Sequence, residues 1–224
     1  MPTIHFTFAT FCGDNEPSRV VPEVRGEISE FDEVSNADVK VGAIEIFLIM
    51  RNRAIDESVS LFEAMDSIND SVHELYTALF DHKTDEWNAN IERMYKGEIW
   101  ESDVLLIDRI QLDSNYRGHG IGAAVVRETI ALFGSNCGLV VCKPFPLQYQ
   151  GWQDEDKKHL REQPDFEQKR LADFAKVERF WSDLGFRKVP DSEIFAYCPQ
   201  LIEQPSLCAP RSKTRKLGAR RRNR

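Results

Sequence analysis

The sequence predicts an α/β (α+β) fold built on a mixed sheet. Three observations carry this expectation: apolar segments of strand length, an apolar stripe at helical spacing among them, and a strand that passes through a glycine-rich turn into a helix. Residues 4–11 alternate through Ile4, Phe6 and Phe8, with Phe11 after one slip, and read as a first strand. Residues 24–32 and 38–50 supply two more, the second rich in Val and Ile. The period then changes. Leu61, Met65, Ile68, Val72, Leu75 and Leu79 are three, four or seven apart, a helical stripe with a break near Asn69-Asp70. Residues 85–96 form a shorter helix. Residues 104–112 (VLLIDRIQL) read as a buried strand, and 121–133 as a helix with Val126, Ile130 and Phe133 on one face and Gly134 as its stop. Residues 138–143 are a strand ended by Pro144. The polar run 153–170 reads as a solvated helix or loop, with a lid as the alternative. A helix over 171–184, stopped by Gly185, leads to strands at 186–189 and 194–197.

Composition narrows the function classes. The chain has 224 residues, 42% of them hydrophobic, enough to bury a core in one domain. The domain is expected over 1–210, followed by a flexible basic tail over 211–224. That tail carries eight Lys and Arg and no acid, whereas the whole chain has net charge −8, so the body is strongly acidic. An acidic body repels bulk nucleic acid and favours a cationic small molecule. The tail is expected to be solubilising, with a contact to RNA or DNA, or back onto the body, as the sharper reading. Five cysteines without CxxC spacing, and no HExxH at His73-Glu74, argue against a metal site. No signal peptide and no run of membrane-spanning length is read, and the expected location is cytoplasmic, as a monomer or homodimer.

The segment NYRGHGIGAAVV (115–126) has glycines at 118, 120 and 122 behind Arg117. A strand, a glycine turn and a helix N-terminus make an anion site: unpaired backbone N–H groups point outward, the helix dipole adds partial positive charge, and glycine lets the backbone approach phosphate oxygens. A P-loop is excluded, because Ala123 stands where its second glycine would and no Lys-Ser or Lys-Thr follows. The dinucleotide fingerprint is met formally by Gly118, Gly120 and Ala123. It expects an acid at the end of the next strand, which instead ends Cys142-Lys143-Pro144.

The pattern Arg117-Gly118-His119-Gly120-Ile121-Gly122 resembles the acyl-CoA-binding motif of the GNAT superfamily of N-acyltransferases. FAKVERFWSDLGF (174–186) resembles that family's later helix. The match covers about residues 104–198; the first hundred residues share only the order of elements. The resemblance implies a mixed, mostly antiparallel central sheet flanked by helices on both faces. It implies an N-acetyltransferase that uses acetyl-CoA and no metal, with a small-molecule amine, a lysine or an N-terminal amine as acceptor. By resemblance the cofactor is held by Ile110, Gln111 and Leu112 on the strand and by Arg117, Gly118, His119, Gly120, Ile121, Gly122 and Ala123 in the turn. Trp181 stands where the family places a tyrosine acid, and Phe174 near its usual asparagine. Asp108, an acid in an apolar strand, is the expected base, with Glu45, Glu101 and Asp103 in reserve. Tyr197 or Tyr149, or water, replaces the missing acid. Loss of that acid leaves a non-catalytic CoA-binding or scaffolding protein as the alternative. The segment CKPFPLQYQGW (142–152) is a strand exit that packs or lines the acceptor pocket.

Overall fold

The computed structural model describes residues 2–8, 17–33, 36–151, 153–154 and 162–201. Among these residues, seven strands form one sheet in the order β1-β2-β3-β4-β5-β7-β6. They are β1 (Thr3–Phe8), β2 (Glu23–Asp32), β3 (Ala37–Ile49), β4 (Val104–Leu112), β5 (Leu139–Cys142), β6 (Arg187–Lys188) and β7 (Phe195–Tyr197). All neighbours are antiparallel except β4 and β5. The mostly antiparallel mixed sheet is therefore as expected. Phe11, assigned from sequence to the first strand, lies outside the described residues, as do most of the basic tail's neighbours and the tail itself.

Among the described residues, six helices cover the sheet. Four of them, α1 (Arg51–Asp56), α2 (Leu61–Asp66), α3 (Asp70–Leu79) and α4 (Ala89–Tyr95), enter between β3 and β4. Their buried residues, among them Leu61, Met65, Val72, Leu75, Leu79 and Ile91, join one core with Val104, Leu106, Leu139 and Val141. The others, α5 (Ile121–Phe133) and α6 (Phe166–Asp183), follow β4 and β5. Ile121, Val125, Val126 and Trp181 join a second core with Leu105, Ile107, Val140 and Cys142. Successive residues of β4 and β5 thus point into opposite cores, which is why both strands read as unbroken apolar runs rather than alternating ones.

Local chemistry sets the helix ends. Asn69 breaks the apolar stripe as expected: its side chain accepts the N–H of Val72 at 3.0 Å and starts α3. Ser60 caps α2 through Glu63 N–H at 3.2 Å, and Asn88 caps α4 through Asn90 and Ile91. Gly134 ends α5 because a Cβ there would lie 2.8 Å from the Ile130 carbonyl and 3.1 Å from Val140, so the chain passes close over the sheet. Helix α6 begins five residues before the sequence-based boundary. Its first turns are held by Asp165–Lys169 and Glu167–Arg170 pairs and by buried Phe166 against Tyr149, contacts that hydrophobic periodicity does not register. Helix α1 has no sequence signal, since Met50 caps nothing; its N-terminus is capped from afar by Asp103, whose Oδ1 accepts the Asn52 N–H at 3.1 Å.

Replacing Asn69 by Ala removes the α3 cap. Unfolding in denaturant should show a loss of about 1 kcal/mol, and thermal melting a fall of about 2–4 °C.

Candidate functional site

The site grows from the one parallel pair. Strand β4 has nine residues and β5 four. Their ladder runs Val104–Leu139, Leu105–Val140 and Leu106–Val141, and there it stops. Beyond it β5 ends at Cys142, whereas β4 continues to Leu112 against β3 alone. From Ile107 onward, one edge of a central strand therefore carries no strand partner among the described residues. Asp113 donates its N–H to Val41 on β3 at 2.9 Å. Alternation along an antiparallel ladder then turns the backbone groups of Gln111 toward β3 and those of Ile110 and Leu112 toward the open edge. Gln111, expected alongside them, has its backbone occupied by the ladder.

A β-bulge lies within this unpaired stretch. Glu45 faces Arg109 and Ile46 faces Ile107, so Asp108 has no opposite residue. Ile107 and Ile110 both belong to the α5/α6 core, and the bulge puts Asp108 and Arg109 together on the other face. The surrounding charges there are Glu45, Glu23 and Arg25. Arg109 is committed to Glu45 at 3.8 Å and Arg25 to Glu23 at 2.5 Å, and Asp108 has no hydrogen bond or ion pair among the described residues. Burial pushes its carboxyl above the usual aspartate range; Arg109 pulls it back, and Glu45 and Glu23 raise it further.

The glycine turn closes the open end. After Leu112 the chain makes a short 3-10 turn, Ser114–Tyr116, and Arg117 Nε donates to the Leu112 carbonyl at 2.8 Å, which ties the turn to the strand. Gly118 (φ +78°) and Gly120 (φ +85°) are left-handed, and a Cβ on either would meet nothing within 4 Å. Gly120 starts α5 with no side-chain cap. Ala124 donates to Gly120 in the regular helical pattern, but no N–H from Gly118 to Ala123 donates to an acceptor among the described residues. Six adjacent donors around His119 and Ile121 thus have no acceptor among the described residues, at the positive end of a 13-residue helix. Gly122 sits differently. Its Cβ would touch Leu112 and Phe180 at 3.7 Å, ordinary contact that alanine would satisfy. Phe180 on α6, which no sequence motif singled out, packs α6 against the turn.

The remaining expected residues lie elsewhere. Trp181 is 5% exposed and packs edge-on to Phe180 and Phe186, as part of the core under the sheet. Tyr197 is 6% exposed, faces Val140 in the ladder and lies against Phe186, in the α5/α6 core, opposite in face to Asp108 and below the point where β4 and β5 part. Burial raises its hydroxyl above the ordinary tyrosine value. Tyr149 donates to Asp173 on α6 at 3.0 Å. Phe174 packs edge-on to Phe145 and alongside Tyr149, so the segment after β5 forms an aromatic wall against α6 on the β5 side of the gap. Trp152 and residues 155–161 of the expected lid lie outside the described residues, and 166–170 open α6. Asp103 is a helix cap whose burial raises its carboxyl, and Glu101 is exposed. Both precede β4 and stand a full strand, about 30 Å, from the turn. Of the reserve candidates only Glu45 shares the face of Asp108. Among the described residues no group of three or more His, Cys, Asp and Glu is placed to hold a metal ion, and no helix is long and apolar enough to cross a membrane.

Compared with known proteins, the chain matches no family model, no curated protein and no solved structure.

An aspartate whose folded value is raised binds more protons folded than unfolded, so it costs stability above its folded value and costs none below the ordinary aspartate range. Asp108→Asn should therefore stabilise the fold near neutral pH. The gain over the unmutated chain should shrink as the pH falls and disappear below about pH 3.5, as read from paired denaturation curves across pH.

Proposed function

We propose that the chain binds acetyl-CoA and transfers its acetyl group to a primary amine, as an N-acyltransferase of the GNAT type. The observation that carries this reading is the juxtaposition of two backbone surfaces at one end of β4: the open edge at Ile110 and the Leu112 N–H, the Leu112 carbonyl being held by Arg117, and the uncapped donors of residues 118–123. An extended arm carrying amide groups can pair with the first, and a pyrophosphate with the second. A free anion needs only the turn, and a dinucleotide needs an acid after β5, where Lys143 stands. The continuous path from turn to strand edge favours a ligand that is anionic at one end and amide-bearing along its length.

When bound, the thioester supplies an activated acetyl carbon and a thiolate leaving group. The chain's own residues then have separate tasks. Gly118 to Ala123 hold phosphate oxygens, and the guanidinium of Arg117, with its Nε spent on Leu112, has its terminal nitrogens left for a charge-assisted bond. Asp108, unpaired and poised above the ordinary carboxylate range beside the open edge, takes the proton of the incoming ammonium, directly or through water. The amine nitrogen bonds to the acetyl carbon, the carbon–sulfur bond breaks, and the second proton of the amine nitrogen passes through water to the leaving thiolate, while Asp108 returns its proton to solvent. Water is assigned here because Trp181 cannot serve as an acid, Tyr197 is buried against Phe186 and the Tyr149 hydroxyl is committed to Asp173. The acidic body favours a cationic acceptor, a small amine or the lysine or N-terminus of a peptide.

The same absence of a positioned acid favours a second reading, a CoA-binding or scaffolding protein that transfers nothing. Release of free thiol from acetyl-CoA across a panel of amines separates the two.

Calorimetry should show acetyl-CoA binding and no binding of NAD(P); the opposite pattern rejects the proposal. Arg117→Ala should weaken acetyl-CoA about tenfold or more with the circular dichroism spectrum kept. Asp108→Asn should leave that affinity within about twofold and slow amine acetylation about 10²–10⁴-fold; turnover at the original rate removes Asp108 from the mechanism.

A further inference from the structure

A groove of about 490 Å³ lies on the α1–α4 side of the sheet, apart from the glycine turn. Helix α3 contributes His73, Glu74 and Thr77 to one wall, and the turn between β6 and β7 contributes Asp191 and Glu193 to the other. Asn90 Nδ2 donates to the Pro190 carbonyl at 3.3 Å and joins the walls at the floor. Lys143, the first residue after β5, joins two of the lining residues: its ammonium sits between Glu74 and Glu193, the latter at 3.1 Å. The side chains of Glu74 and Glu193 remain 53% and 75% exposed, and Asp191 forms no ion pair among the described residues. Three carboxylates thus face the groove with one ammonium between two of them.

The same chain carries a complementary segment. Residues 211–224, RSKTRKLGARRRNR, hold eight positive charges and no acid. Reach is sufficient. Ile194 lines the groove and Leu201 is the last described residue before the tail, seven residues or at most ~25 Å further on. The nine residues 202–210 span up to ~30 Å extended. Tethering by so short a link raises the effective concentration of the segment at the groove to the millimolar range, which makes weak exposed ion pairs sufficient.

We propose that the groove between α3 and the β6–β7 turn docks the basic segment 211–224 of the same chain. Docking places guanidinium and ammonium groups on Glu74, Asp191 and Glu193 and holds the tail's charge on the protein's own acidic face. The inference does not depend on the acyltransferase reading, since it uses neither the turn nor the open edge.

The test uses a fluorescein-labelled peptide of residues 211–224 and two proteins, the full chain and a chain ended after Pro210. At low salt, anisotropy should show the peptide binding the shortened chain and binding the full chain about tenfold more weakly, because the tail in cis already occupies the groove. In the shortened chain, Glu74→Gln with Asp191→Asn and Glu193→Gln should weaken the peptide about tenfold. Circular dichroism checks that this variant folds, and a peptide with Arg220, Arg221 and Arg222 each changed to Glu should lose binding to the unmutated shortened chain. Equal affinity for the full and shortened chains overturns the proposal. So does an unchanged affinity in the triple variant, or binding of a 20-base-pair DNA by the full chain as tight as by the free peptide, which would show the tail unsequestered.

Discussion

Everything at the candidate site depends on the length mismatch between two parallel neighbours. Strand β4 outlasts β5, and the ladder ends at Leu106–Val141 while β4 runs six residues further. Backbone N–H and C=O groups are obligatory hydrogen-bonding groups, and leaving a central strand's edge without a partner costs free energy unless water or a ligand supplies one. The sheet keeps that edge open with its other side paired to β3, apart from the bulge at Asp108, and with helices packed on both faces of the sheet. The gap is thus bought by the two cores on either side of it.

The glycine turn extends the same imbalance of donors. Helix α5 starts at Gly120 with no side chain to accept from its first turn. A Ser or Asp cap would satisfy one of those donors from within, as Ser60 and Asn69 do for α2 and α3. Within one chain, three helices of the α1–α4 face, α2, α3 and α4, are closed by their own caps, while the first turn of α5 has no side-chain cap beside the open strand edge. Arg117 then serves the architecture as well as any ligand, because its Nε bond to Leu112 fixes where the donors stand relative to the edge. The bulge at Asp108 completes the arrangement by turning a carboxylate away from the α5/α6 core, among Glu45 and Glu23 rather than against a cation of its own.

The acidic surface organises the rest. Arg109 and Arg25 each answer a particular carboxylate, and Lys143 answers two. The described surface near the groove therefore keeps carboxylates in excess of cations, while the chain's largest block of positive charge is gathered after Pro210. Exposed pairs of this kind contribute little individually and are screened by salt, so the consequence of the separation is one of encounter and orientation rather than of stability.

Periodicity and turn chemistry alone placed β4, α5, the break at Asn69 and the stop at Gly134, because each rests on residues adjacent in sequence: a run apolar on both faces, a glycine after the last helical turn, a side chain that caps its own neighbours. The six-residue pattern from Arg117 to Gly122 likewise announced a glycine turn into a helix, with left-handed Gly118 and Gly120 and no side-chain cap. What tertiary structure decided is everything that compares separate segments. That β5 is shorter than β4 follows from where Pro144 and the aromatic wall of Phe145, Tyr149 and Phe174 turn the chain toward α6. That Asp108 is a bulge follows from register against β3, and that Asp103 is a cap follows from α1 lying beside the start of β4. Tyr197, expected from sequence as a substitute acid, is turned into the core by the alternation of β7, and Trp181 is buried there by the face of α6 that packs on the sheet. Chemistry carried by one turn can be read from the residues of that turn, whereas the face, level and partner of a side chain exist only once the strands are paired.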